Sequence, residues 1–370
     1  MISRVSLKNF KCFEDETIAF APLNLWTGLN GMGKSTFIQA LLLLRQNYEL
    51  GMLQSDKGIS LNGELVRIGN ARDLLYQYFK NQSVAIVIET TDRCSVSWEW
   101  NARTDSDFLS LEKKTGNFDA IFKSSLFGPN FHYLNAERLG PRVYFEISNY
   151  DVVNRNRLGQ QGEYTANYLA EFQNTQIPIP QLKHPNSSGL TLREQVNAWL
   201  GEIRPGARID VIDNLDFSLV GLRYYFMGGI DSGNRFRPTN VGFGLSFLLP
   251  VLVAILSSKA GTLLIMENPE AHLHPRGQAE IGKLLALAAA NGIQIIVETH
   301  SDHILNGVRV TAKKGLIKPQ QISLLFFHGE VIEDQFKHYI LNPKIDENGR
   351  IDRWPEGFFD EWDRQLSELV

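Results

Sequence analysis

The spacing of apolar residues predicts an alternation of strands and helices that starts near the N-terminus. Arg4–Phe10 alternates polar and apolar side chains, as a half-buried strand does, and Ile18–Phe20 fits a second strand. Residues 22–27 then lead into a glycine-rich loop. The stretch after Lys34 is apolar on most faces, which predicts a buried helix.

The pattern changes further along the chain. Residues 84–112 are typical of antiparallel strands joined by polar turns. From 141 to 215 the chain is polar and rich in Asn, Gln, Gly and Pro, with helices expected near 165–172 and 192–201. From 216 to 335 strand-like and helical stretches alternate, which is typical of a parallel sheet covered by helices.

These changes predict an α/β fold with a mostly parallel sheet flanked by helices, an antiparallel β subdomain and a mostly helical inserted lobe. The expected parts of the chain are 1–140 (first part of the main domain, with the glycine-rich loop and the antiparallel region), 141–215 (inserted lobe), 216–340 (second part of the main domain) and 341–370 (tail).

Composition narrows the class of protein. The 370 residues carry 37 Lys+Arg and 41 Asp+Glu, a formal charge of −4, which argues against a histone-like coat of positive charge. Two cysteines, Cys12 and Cys94, are too few to staple a chain of this length, and the N-terminal residues lack the apolar region of a signal peptide. The longest apolar run, Val241–Leu256, is short for a membrane span of about 20 residues. We expect a cytoplasmic protein without a membrane segment.

The strongest chemical signal is the sequence GLNGMGKS at 28–35, which fits G-x-x-x-x-G-K-[ST] in full. Its glycines let backbone N–H groups wrap around phosphates, and the following helix N-terminus adds partial positive charge. In such a loop Lys34 would reach the β- and γ-phosphates and the Ser35 hydroxyl would ligate Mg²⁺.

Two later strands each end in polar residues. An apolar run delivers Glu267 to the carboxyl end of its strand, where an α/β protein binds its ligand and where a carboxylate can hold hydrated Mg²⁺. The next strand ends in Glu298 and His300, which places the histidine beside the γ-phosphate. The pattern therefore predicts a nucleotide triphosphate site.

The sequence resembles the ABC-type ATPase heads of the RecF/SMC/OLD group, in particular the compact, coiled-coil-free AAA-labelled ATPases of prokaryotes such as the Septu defence ATPase. The resemblance rests on the opening VSLKNFKCFED, on ENPEAHLHP and VETHSDHIL, and on YLNAERLGPR and the tail WPEGFFDEW. It implies a P-loop NTPase fold of the ABC-ATPase-head type.

The resemblance also implies roles for single residues. Glu267 becomes the Walker B acid and His300 the switch histidine. Ser246, in the place of an ABC signature, would contact the γ-phosphate of a nucleotide held by a second protomer, although a plain buried helix start explains it too. Arg138 is either a phosphate or DNA contact or an arginine without such a role, exposed at the surface or paired with Glu137. The implied nucleotide cradle consists of Asn30, Gly31, Met32, Gly33, Lys34, Ser35 and Thr36.

One departure bears on hydrolysis. ABC ATPases commonly follow the Walker B acid with a second acid, and this chain has Asn268 there, whose amide cannot accept a proton at neutral pH. Either hydrolysis is slow, or Glu270 or Glu298 activates the water. We expect a slow ATPase in which bound ATP keeps a dimer closed.

The resemblance implies partners as well as chemistry. We expect ATP and Mg²⁺ as cofactors, a homodimer or higher oligomer on ATP binding, and an effector protein such as a nuclease or toxin encoded nearby, in anti-phage defence or DNA repair. DNA or RNA is a further candidate partner. An OLD-like nuclease-associated ATPase and a transporter nucleotide-binding subunit are the alternatives.

A histidine pair and the aromatic residues of the tail can each be interpreted in two ways. His272 and His274 could form a ligand pair of a metallohydrolase, whereas the resemblance places them in the D-loop. In the tail, Trp354, Phe358, Phe359 and Trp362 have a spacing near one helical face and either pack onto the head or dock a partner.

Overall fold

The computed structural model describes residues 1–214, 216, 218–228 and 234–369. The chain folds into two compact units. The first contains Met1–Gly128, Ser323–Lys344 and Arg353–Val370, and the second contains Pro129–Ile322 and Ile345–Asp352.

Strands and helices follow one another along the whole chain. The strands are β1 Ile2–Phe10, β2 Phe13–Ala19, β3 Leu23–Gly28, β4 Gly58–Ser60, β5 Ser83–Thr90, β6 Ser95–Asn101, β7 Phe108–Gly116, β8 Phe131–Leu134, β9 Phe145–Glu146, β10 Ala207–Asn214, β11 Leu219–Phe226, β12 Leu263–Glu267, β13 Gln294–Glu298, β14 Ile322–Ile332 and β15 Gln335–Leu341. The α-helices are α1 Lys34–Glu49, α2 Ala71–Leu74, α3 Phe118–Ile121, α4 Thr165–Phe172, α5 Leu192–Ile203, α6 Phe243–Ser257, α7 Pro275–Ala290, α8 Asp302–Lys313 and α9 Glu361–Leu369.

The first unit contains an antiparallel sheet in the order β2-β1-β5-β6-β7-β4. Every second residue of β5 is buried, and Trp98 and Trp100 of β6 are each 1% exposed, so one face of the sheet covers the core. The antiparallel strands predicted over 84–112 are confirmed.

Strand β3 has all six residues buried and leads directly into the glycine-rich loop and α1. Its Trp26 packs against Phe37 of α1 and Phe327 of β14, with ring centroids 6.3 and 5.7 Å away. In this unit β3 is followed in sheet order by β14 and then β15, which form an antiparallel hairpin. The predicted buried helix after Lys34 is confirmed.

The second unit contains the parallel strands β13, β12 and β8, in that order. The first four residues of β12 and all of β13 are buried, as expected for parallel strands covered by helices. Among the described residues, no helix is both long and apolar enough to cross a membrane. The long apolar run forms α6, which carries Pro250 in its interior.

The segment 141–215 is not purely helical. Besides α4 and α5 it holds β9 and β10, and these form a three-stranded antiparallel sheet with β11 in the order β10-β11-β9. Because β10 pairs with β11 over eight residues, this sheet continues past residue 215, where the pattern of polar residues had placed the end of the lobe. The expected domain bounds stay a prediction.

The tail differs from the sequence expectation. Residues 353–360 form an irregular segment with a turn at 356–357 rather than a helical face, and α9 begins only at Glu361. Phe358 is 1% exposed and packs edge-on against Phe326 of β14, whereas Trp354 is 48% exposed. Phe358 therefore anchors the tail within the first unit. The side chain of Trp362 lies outside the described residues.

Candidate functional site

The glycine-rich loop closes around the amino group of Lys34. Lys34 is 4% exposed, and its Nζ donates to the carbonyl oxygens of Gly28 and Leu29, both at 2.8 Å. The ammonium group therefore lies inside the loop, while Asn30 and Gly31 at its tip are exposed. This places a positive charge and a helix N-terminus in one concave backbone, the arrangement that binds phosphate.

The glycines of the loop are required by its close contacts. A Cβ on Gly28 would lie 2.1 Å from the carbonyl oxygen of Phe327. Gly33 has φ +94 and caps α1, and a Cβ there would lie 2.6 Å from Cys12 Sγ and 2.8 Å from Phe13 Cζ. A residue with a side chain would strain or displace the loop at either position.

In the second unit, the ends of β12 and β13 bring Glu267 and Glu298 into register. Asn268 follows at φ +45, its N–H donating to the Glu298 carbonyl at 2.8 Å. Asn adopts the left-handed conformation more readily than most other residues with a side chain, because its short polar side chain lowers the conformational free-energy cost. The backbone thus gives a physical reason for Asn at the place where a second acid was expected.

Residues of strand β8 and of the loop after it form hydrogen bonds to the side chain and the backbone of Glu267. The Tyr133 hydroxyl donates to Glu267 Oε1 at 2.8 Å. The Arg138 guanidinium donates to the carbonyl oxygens of Asn135, Glu267 and Asn268. Arg138 is 4% exposed, so the expectation of an ordinary surface arginine is wrong. Burial lowers the pKa of Arg138 to about 10, which leaves it charged at neutral pH.

Glu270 connects the loop after β12 with the loop after β13. Its Oε1 accepts the main-chain N–H of His300 at 2.9 Å. Burial raises the pKa of Glu270, although this hydrogen bond opposes the shift. The His300 side chain is exposed. The second unit therefore brings together Glu267, Glu270, Glu298 and His300, four of the residues that the sequence predicted.

Three family models match successive parts of the chain. Residues 1–94 match "AAA ATPase domain", residues 129–306 match "AAA domain, putative AbiEii toxin, Type IV TA system", and residues 317–369 match "Protein of unknown function (DUF3696)". A comparison with curated proteins gives no match.

Solved structures of SMC heads share the fold. A SmcHead bound to the C-winged helix domain of ScpA is 13% identical over 92% of this chain and 97% of that chain, with a TM-score of 0.54. An Smc head domain with an extended coiled coil, bound to the C-terminal domain of ScpA derived from Pyrococcus furiosus, is 12% identical over 100% and 99%, with a TM-score of 0.52. The chain therefore has the α/β fold of an SMC head, and two successive parts of it match models of AAA ATPase domains. The expected similarity to the Septu ATPase stays a prediction.

Each unit contains an oxygen ligand of the kind that Mg²⁺ prefers. Mg²⁺ is usually held by one or two protein oxygen ligands together with nucleotide phosphates. The Ser35 hydroxyl of the first unit and the Glu267 carboxylate of the second unit are each a group of this kind. Burial raises the pKa of both Glu267 and Glu270, which lie within electrostatic range of Arg138. A divalent cation would offset the cost of these buried negative charges.

The segment in which the sequence predicted an ABC signature begins α6. Gly244 lies against the D-loop, since a Cβ there would be 2.5 Å from the His272 carbonyl oxygen. The Ser246 hydroxyl oxygen is fully buried, and the exposed side chain at this helix start is Phe243, at 58%. This geometry does not support a contact of Ser246 with a nucleotide on a second protomer, which stays a prediction.

The histidines that the sequence resemblance placed in a D-loop, His272 and His274, take part in local contacts. The His272 ring packs against Phe247, with centroids 4.5 Å apart, and His274 caps α7 by accepting the N–H of Arg276. Across the described parts of the chain, no group of three or more His, Cys, Asp or Glu side chains is placed to hold a metal ion.

The sequence reasoning missed the contacts that the β14–β15 hairpin makes with the loop. Met32 Sδ would be 3.1 Å from a Cβ on Gly329, and the Phe336 ring lies over the same glycine. His338 of β15 packs against Phe13, with centroids 6.0 Å apart. Gly329 at a strand position was the available signal, because a glycine inside a strand often marks a close approach.

Proposed function

We propose that this chain binds ATP, hydrolyses it slowly, and uses the bound nucleotide as a switch that closes a dimer. The observation that carries the proposal is the loop geometry, with the Lys34 amino group bonded inside a backbone cradle that ends in a helix N-terminus. The family models for AAA ATPase domains support it independently.

Glu270 is the proposed acid that activates water. Its carboxylate is held in position by the His300 N–H, and burial raises its pKa, which favours proton acceptance near neutral pH. Asn268 cannot fill this role, and its backbone is fixed by hydrogen bonds to Glu298 and Arg138. Slow turnover follows, since Glu270 is three residues from the Walker B acid instead of adjacent to it.

The proposed partners are a second copy of the chain and a separate protein. The two SMC heads with the same fold were solved bound to ScpA domains, and one matching family model carries a toxin description. We propose an effector such as a nuclease or toxin, or DNA or RNA, as the client, in anti-phage defence or repair. Two free cysteines fit the reducing cytoplasm.

Binding and assembly measurements test the proposal. Calorimetry with ATP should show binding by the wild type and by Glu270→Gln, and loss of binding in Lys34→Ala. Light scattering should show a dimer with ATP, longer-lived in Glu270→Gln because turnover is lost. Lys318→Ala, which removes an exposed lysine, is the matched control. Absence of ATP binding by folded wild-type protein would refute the function, and full turnover in Glu270→Gln would refute the assignment of the base.

A further inference from the structure

The segment 133–138 supplies several hydrogen bonds to the end of β12. Tyr133 stands in β8 directly beside Ile265 of β12, and its hydroxyl reaches forward to Glu267 Oε1. The Glu267 carboxylate also accepts from the main-chain N–H of Ala136. One short stretch therefore fixes the carboxylate at more than one point.

Arg138 fixes the backbone on which that carboxylate stands. Its guanidinium bonds the carbonyl of Glu267 at 2.6 Å and also the carbonyl of Asn268, so both ends of one peptide step are held. A third bond, at 3.1 Å, returns to Asn135 in its own loop. The planar guanidinium provides several donors in fixed directions, which a lysine cannot reproduce.

Resting on the proposed function, we propose that Tyr133 and Arg138 are positioning residues for the metal-binding carboxylate. Tyr133 sets the rotation of the Glu267 side chain toward Mg²⁺, and Arg138 sets the backbone of Glu267 and the left-handed Asn268. Partners that orient a metal-binding carboxylate typically contribute 10- to 100-fold to metal affinity or activity. Neither residue touches the reacting atoms in this assignment.

Tyr133→Phe tests the first half of the proposal, because it removes one hydroxyl and keeps the ring. ATP affinity measured in EDTA should stay within about twofold of the wild type. The affinity of the protein–ATP complex for Mn²⁺, measured by electron paramagnetic resonance, should fall about tenfold or more. Tyr168→Phe is the matched control, since Tyr168 is 5% exposed in the same unit and its hydroxyl bonds Asn156 at 3.0 Å. It should change neither quantity.

Arg138→Lys tests the second half. A lysine keeps the positive charge but lacks the planar guanidinium and its several donors. Arg138→Lys should therefore lower kcat about tenfold or more, while the KM for ATP stays within about threefold. Unchanged Mn²⁺ affinity in Tyr133→Phe would overturn the role of Tyr133, and unchanged kcat in Arg138→Lys would overturn that of Arg138. Failure of Arg138→Lys to fold would assign Arg138 to the stability of the fold and overturn its positioning role, and Tyr133→Phe would then decide the role of Tyr133 alone. Failure of the wild type to bind ATP would instead reject the proposed function.

Discussion

Alanine at Gly31 and at Gly33 should weaken ATP binding to very different extents. Both glycines have positive φ, +80 and +94, so either alanine carries a left-handed backbone cost of about 1–2 kcal/mol. Nothing lies within 4 Å of a Cβ on Gly31, whereas a Cβ on Gly33 meets Cys12 Sγ at 2.6 Å. Such overpacking adds about 1–3 kcal/mol.

These costs convert into affinity if the loop must keep its conformation to hold the nucleotide. At 1.4 kcal/mol per factor of ten, Gly31→Ala should weaken ATP binding about 5- to 30-fold, and Gly33→Ala by at least about fivefold more. The assay is calorimetric titration of ATP into each variant, with circular dichroism to confirm the fold. Adding Cys12→Ala to Gly33→Ala should recover part of the loss. Equal affinities within twofold for the two glycine variants, or no recovery, would refute the steric reasoning.

Three further measurements address other parts of the molecule. Phe358→Ala should cost about 3–5 kcal/mol of unfolding free energy in urea because it empties a buried ring site, whereas the half-exposed Trp354→Ala should cost less than about 1 kcal/mol; equal costs would show that the tail is not anchored by Phe358. Asn268 has φ +45, a conformation that glycine adopts without strain and alanine does not. Asn268→Gly should therefore keep the melting temperature and Asn268→Ala should lower it; a lower melting temperature for Asn268→Gly than for Asn268→Ala would contradict the left-handed assignment. Burial lowers the pKa of His338, so the folded state resists a proton that the unfolded chain accepts below about pH 6.5, and stability should fall as the pH drops through that range. His338→Phe should flatten this decline in melting temperature, whereas the same change at the half-exposed His303 should not. An unchanged decline in His338→Phe would contradict the assignment.

The residues whose position in the fold was predicted correctly are those that the local sequence marks; their chemical roles stay predictions. The loop at 28–35 needs glycines, a lysine and a hydroxyl at fixed spacing, and the alternation of apolar runs identifies the buried parallel strands. Glu267 and His300 were found because each follows such a run directly. The position of polar residues at a strand end can therefore be inferred from the strand itself.

The contacts that were missed join segments far apart in sequence. Arg138 bonds carbonyls 129 and 130 residues away, and backbone carbonyls leave no trace in residue type. Tyr133 reaches Glu267 only because β8 adds to β12, and a pattern of burial does not say which strands are neighbours. The tail was assigned to a helical face because aromatic spacing alone cannot distinguish a helix from an irregular segment.

The close approach of Gly28 to Phe327 has a consequence for biosynthesis. The loop that holds Lys34 is translated early, but the strand against which Gly28 fits emerges from the ribosome about 300 residues later. At about 5–20 residues per second, that interval is about 15–60 s. Nascent chains should therefore remain unable to retain nucleotide until β14 has been synthesised. During that interval the apolar residues of β3 stay exposed and can bind chaperones.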